Sequence, residues 1–188
     1  MPAPLTPAEG RPALERPRRG GHADDLTLAA LYEEHRSEVF GFLVRMTHDR
    51  EAAEDVLQET FISLIGEARA GRMPDRVRPW LYRTASNAAI SRSRRRARLT
   101  RLLPRLVDRR EPGPPEGEFL RIERDSELHA ALATLGPAGR AALLLAAQGF
   151  EGSEIAASIG RTEGATRTLM CRARIQLRQL LDASEGQG

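Results

Sequence analysis

Apolar residues recur every three or four positions over most of the chain, and Pro- and Gly-rich stretches interrupt that period. Leu28, Leu31, Val39, Phe42 or Leu43, and Met46 share one side of a helix predicted over 24–47, with Asp24 and Asp25 as N-caps. Asp49 is placed to cap a second helix, 50–66, whose apolar face is Ala53, Val56, Leu57, Phe61, Leu64 and Ile65. A Gly/Arg/Pro segment over 66–79 leads to a third helix that starts at Trp80. Pro79 sits in its first turn, where a missing N–H costs nothing. Between about 100 and 118 the period fails at Pro104, Pro112, Gly113, Pro114, Pro115 and Gly117. It resumes at Phe119, Ile122, Leu128, Leu132 and Leu135, and Gly136-Pro137 turns the chain into an apolar helix from Ala138 to Gln148. A short helix from Glu154 to Ile159, capped by Ser153 and closed by Gly160, precedes a last one from Glu163 to Leu181, capped by Thr162. No alternating run is long enough for a sheet. The expected fold is all-α: two small helical domains, 24–100 and 119–182, each with its own core. A disordered lead-in (1–23), a flexible linker (101–118) and a tail (183–188) complete the chain.

Composition narrows the class. The chain has 188 residues, 40% hydrophobic and 29% charged, which suits a packed soluble protein. Its longest apolar run, Ala141 to Ala147, is too short to span a bilayer. One cysteine, Cys171, excludes an internal disulfide framework and a multi-cysteine zinc site. His22, His35, His48 and His129 show no ligand spacing. No nucleophile–base pair, phosphate loop or metal set stands out, so no catalytic residue, metal or cofactor is expected, and the default location is cytoplasmic. All 29 basic residues are Arg, and the net charge is only +3. Their placement matters more than their number. Residues 80–100 hold six Arg and no acid, and 161–178 hold five Arg and one acid. Two concentrated basic helices point to nucleic acid at two places.

Three constellations carry chemistry. Ser153 to Thr162 has helix-turn-helix anatomy, with Ala156 where a second helix must approach and Gly160 at the turn. On the helix that follows, Thr166, Met170, Ala173 and Leu177 repeat at core spacing. That leaves Arg167, Thr168, Cys171 and Arg172 on the opposite face, where two arginines can reach guanine edges or phosphates. The alternative is a solvated basic face. On helix 50–66, Asp55, Gln58, Glu59 and Ile62 share a face opposite the core, either plain surface or a docking stripe for a basic partner. On the third helix, Trp80, Arg83 and Asn87 lie on one side and run into Arg92, Arg94 and Arg95. Such a set can stack and hydrogen-bond an unpaired base; a core Trp is the competing reading.

Together these pieces resemble one family. Ala53-Glu54-Asp55-Val56-Leu57-Gln58-Glu59-Thr60-Phe61, then Pro79-Trp80-Leu81-Tyr82-Arg83-Thr84-Ala85-Ser86-Asn87 and the arginine run, look like region 2 of the extracytoplasmic-function (ECF) sigma factors. Leu135-Gly136-Pro137-Ala138-Gly139-Arg140, the helix-turn-helix and Arg172-Ala173-Arg174 look like their region 4. The resemblance implies core RNA polymerase, promoter DNA and an anti-sigma factor as partners. Asp55, Gln58, Glu59 and Ile62 would meet the β′ clamp helices. Trp80, Arg83, Asn87, Arg92, Arg94 and Arg95 would engage the −10 element, with Asn87 at the flipped-base pocket. Region 4 would sit under the β flap and read −35 DNA through Arg167, Thr168, Cys171 and Arg172. Ala165, Thr166, Leu169 and Cys171 depart from the family's usual residues and bear on which −35 sequence is read. Two rival functions are a dimeric helix-turn-helix regulator of duplex DNA and a sigma-like adaptor without initiation activity. The first leaves the Trp80 helix and the Asp55 stripe without a role.

Overall fold

A computed structural model describes residues 21–102 and 122–185. Seven helices follow one another: α1 (Gly21–Thr47), α2 (Arg50–Arg69), α3 (Val77–Leu102), α4 (Ile122–Thr134), α5 (Pro137–Ala147), α6 (Gly152–Ile159) and α7 (Glu163–Glu185). The all-α expectation holds for the described residues. The 101–118 linker falls almost wholly outside them, as do Phe119, residues 1–20 of the lead-in and the last three residues of the tail.

Several predicted ends move. α1 begins at Gly21, ahead of Asp24 and Asp25, because nothing between Gly21 and Asp24 breaks a helix. α2 runs on to Arg69, and α3 starts at Val77, so Pro79 still lies in the first turn. Asp49 caps α2 as expected, its Oδ1 accepting from Ala52 N at 3.0 Å. Ser153 does not cap α6. The helix starts one residue before it, and Glu154 Oε2 reaches back to accept from Glu151 N at 3.0 Å. Glu at the third helical position can satisfy a backbone donor that serine, already inside the turn, cannot. Thr162 Oγ1 accepts from Ala165 N at 3.3 Å at the head of α7.

The predicted apolar faces of α1 and α2 meet the buried side of α3 in one core. Val39, Phe42, Leu43, Val56, Leu64, Leu81 and Tyr82 are sealed from solvent. The expectation of two separate cores is not met. Ala141, Ala142 and Leu145 of α5, Phe150, and Ile155 and Ile159 of α6 belong to the same cluster. α5 is apolar on nearly every side, and a helix of that kind needs cover all round. Leu132, Leu135 and Ala173 cover one flank, and α1 and α3 cover the other. Leu128, read as part of the α4 face, is instead exposed.

Polar contacts reinforce this seam. Arg140 on α5 is buried. Its guanidinium donates to Leu132 O (2.8 Å), Ala133 O (2.7 Å) and Leu135 O (3.0 Å) at the end of α4, and to Met46 O (2.6 Å) at the end of α1. Helix C-termini carry orphan carbonyls and partial negative charge, so one cation satisfies two of them at once. Arg78 on α3 lies over the rings of Tyr82 and Phe150, at 5.2 and 4.9 Å, and donates to Gln148 O at 3.3 Å. Arg76 pairs with Glu154 at 2.8 Å. Beside Arg140, His48 ends α1 in the left-handed region (φ 54°), and its ring meets His129 edge-on at 4.6 Å. Burial, with help from Arg140 and His129, lowers the His48 pKa from 6.5 to about 4.

Candidate nucleic-acid interface

Three solvent-facing surfaces collect the residues singled out by sequence. On α2, Asp55, Gln58, Glu59 and Ile62 are all exposed on the side opposite Ala53, Val56, Leu57 and Thr60. Ile62 is 66% exposed, a large apolar side chain left in water in the middle of a polar stripe.

On α3, a turn of 100° per residue places Trp80, Arg83, Asn87, Ser91, Arg94 and Arg98 within about 80° of arc. Leu81, Ala85, Ser86, Ala89 and Ile90 fill the buried side. Arg83, Asn87, Arg94 and Arg98 are exposed. Trp80 is neither a core residue nor a free one: it is half-buried and packed on the core. Arg95 sits at the edge of this face. Arg92 does not belong to it. It turns toward α2, where its Nη2 donates to Asp55 Oδ2 at 2.6 Å and its Nη1 lies 3.6 Å from Glu59 Oε1. The structure thus joins one arginine of the predicted −10 set to two carboxylates of the predicted polymerase set.

On α7, Thr166 and Ala173 are buried and Met170 and Leu177 half-buried, as the spacing predicts. Arg167, Thr168, Cys171 and Arg172 face solvent together. Gly160, at φ 66°, makes the turn between α6 and α7 in a conformation that suits glycine. Ala156 is buried, and Gly139 faces α7, where a Cβ would lie in ordinary contact with Ala173 Cβ at 3.4 Å.

Comparisons with known proteins agree with this layout. Residues 31–99 match the family model Sigma-70 region 2, and residues 125–177 match Sigma-70, region 4. RNA polymerase sigma factor CarQ of Myxococcus xanthus is 33% identical, with the alignment covering 82% of this chain and 89% of CarQ. ECF RNA polymerase sigma factor SigL of Mycobacterium tuberculosis is 30% identical over 78% of this chain and 84% of its own. The chain belongs to the ECF RNA polymerase sigma factors. The ECF sigma factor SigE of Mycolicibacterium smegmatis is 34% identical over 80% of this chain, which spans 60% of that longer relative. Among solved structures, the sigma factor RpoE in complex with the anti-sigma factor NepR, from Bartonella quintana, superposes with a TM-score of 0.66. It is 22% identical and covers 83% of this chain and 97% of its own. CnrH in complex with the cytosolic domain of CnrY gives 0.59 at 23% identity, covering 85% of this chain and 90% of that one. As a sigma factor, the chain acts in transcription initiation. Its α1–α3 unit is region 2 and its α4–α7 unit region 4.

Sequence reasoning placed Arg140 only in a motif and missed Arg78 and Phe150, and all three tie the regions together. A signal for part of this was present: Ala141 to Ala147 is apolar without a polar face, more than one small domain can cover.

Proposed function

We propose that this sigma factor docks on core RNA polymerase through Asp55, Gln58, Glu59 and Ile62, captures one −10 base with the Trp80, Arg83 and Asn87 face, and reads −35 duplex through Arg167, Thr168, Cys171 and Arg172. The observation that carries the proposal is the α3 face. A half-buried ring, an exposed arginine and an exposed amide line one side of the helix over two turns, and exposed arginines continue the stripe for three further turns. A duplex-binding regulator has no use for that arrangement; a protein that holds an unstacked base does. Ile62 and the carboxylates around it suit a partner surface with basic groups around an apolar contact. Arg167 and Arg172 suit major-groove guanine edges or phosphates. The chain supplies specificity and the polymerase supplies the chemistry, in the cytoplasm where both meet DNA. The two solved neighbours were determined with anti-sigma partners, and this chain takes a partner of that class.

Pull-down with core polymerase and run-off transcription from a mapped start site test the whole proposal. Asn87→Ala is expected to relax preference at a single −10 position without lowering the melting temperature. A loss of stability with preference unchanged removes the base-pocket role. Arg167→Ala or Arg172→Ala costs about 1–3 kcal/mol of discrimination at particular −35 positions. A uniform loss across all sequences identifies a phosphate contact instead.

A further inference from the structure

The six arginines between residues 80 and 100 fall into two groups. Arg83, Arg94, Arg95 and Arg98 make no ion pair among the described residues, whereas Arg92 holds Asp55 and Glu59, and Arg96 approaches Asp49 at 4.0 Å. The Arg92 contacts line a groove of about 660 Å³ between α2 and α3, with Asp55 and Glu59 on one wall and Arg92 and Arg95 on the other. The side chains of Arg92 and Asp55 are 41% and 50% exposed, so water and a partner both reach them.

A cation that takes both oxygens of Asp55, as a bidentate arginine does, must displace Arg92 from Oδ2. A basic partner surface that takes Asp55 and Glu59 therefore competes with Arg92 for the same oxygens. Once displaced, the guanidinium has no other acidic partner assigned to it, and it lies one turn from Arg95 at the edge of the α3 stripe. We propose that Arg92 is a positioning residue shared by two surfaces: it holds the polymerase-facing carboxylates in the free chain and turns to the DNA backbone when a basic surface takes them. This rests on the proposed role of the Asp55–Glu59 stripe. Core binding and DNA binding then strengthen each other by the same factor, as linkage requires. A half-exposed ion pair limits that factor to about two- to five-fold per pair.

A double-mutant cycle on the full-length chain tests this, using anisotropy of a labelled single-stranded DNA at low salt. Asp55→Asn with Glu59→Gln frees Arg92 without polymerase and is expected to tighten binding about three- to ten-fold. Arg92→Ala alone changes the free chain less than about two-fold, because its charge is already engaged. The triple variant returns to within about two-fold of Arg92→Ala. A gain that persists in full without Arg92 means that lost negative charge is the whole effect, and overturns the proposal. No gain at all overturns it too. Pull-down of the parent chain separates the two failures. An additive cycle with normal polymerase capture removes only the shared role of Arg92, while failed capture removes the stripe's role and this proposal together.

Discussion

The two regions solve the same packing problem with different materials. Region 2 closes its interior with large side chains from its own helices, Phe42, Leu43, Leu64, Leu81 and Tyr82 among them. Region 4 relies more on small ones: Ala131, Ala141, Ala142, Ala156 and Ala173 are five of its eleven buried apolar residues, against three of fourteen in region 2. Alanine allows helices to approach closely, which a recognition helix held at a set angle requires. It removes little apolar surface from water, roughly 25 cal/mol for each Å² covered. Region 4 makes up the difference by laying α5 and α6 against region 2. With fewer large side chains of its own, region 4 is expected to lose more than region 2 when the seam between them is weakened.

The largest expected effect comes from Arg140. Removing it leaves carbonyls at the ends of α1 and α4 without a donor, at a cost of about 3 kcal/mol or more. Lysine does not restore the parent, because one ammonium cannot reproduce the fork that reaches four oxygens. Three of those oxygens belong to region 4, so Arg140→Ala is expected to melt that region first. Trp80 is the chain's one tryptophan and lies in region 2. Its fluorescence is expected to change at higher urea than the far-ultraviolet helical signal; coincident curves would mean that the two regions unfold as one unit.

Leu145→Ala comes next. Leu145 is sealed on the seam between the regions, and its truncation costs about 2–4 kcal/mol of global stability, read by urea denaturation. A cost below about 1 kcal/mol shows that region 2 does not cover this side of α5.

Acid sharpens the same point. His48 is held near pKa 4 in the folded chain, against 6.5 when unfolded. Its contribution is therefore complete above pH 6.5 and is lost as pH falls from 6.5 through 4, where the unfolded chain binds the extra proton. Given its partly open position, about 1–2 kcal/mol of stability is expected to disappear between pH 7.5 and pH 4.5. His48→Asn keeps a residue that tolerates the left-handed turn and is expected to flatten this slope. An unchanged slope assigns the acid sensitivity elsewhere.

Asp55→Asn is expected to have the smallest effect on folding. Its pair with Arg92 is half-exposed and contributes less than about 1 kcal/mol. A loss of polymerase capture by this variant, at unchanged melting temperature, therefore reports an interface rather than a damaged fold.

Helical periodicity, Asp49 and Thr162 as caps, Gly160 at the turn and the exposed faces of α2 and α7 were all legible in the chain. Each depends on residues a few positions apart, whose relation is set by the 3.6-residue turn alone. What lay beyond reach involves partners far apart in sequence. Arg92 stood in a basic run and read as one more DNA contact; only the packing of α3 against α2 shows that it faces Asp55, 37 residues earlier. Arg140 read as part of a family motif, and its contact to Met46, 94 residues away, exists because α5 is drawn against α1. The sequence by itself determined the elements and their faces, since local periodicity and turn chemistry act over a few residues. The tertiary structure alone decided that the two regions share a core and that one arginine lies between two surfaces, because burial and charge pairing depend on which faces meet.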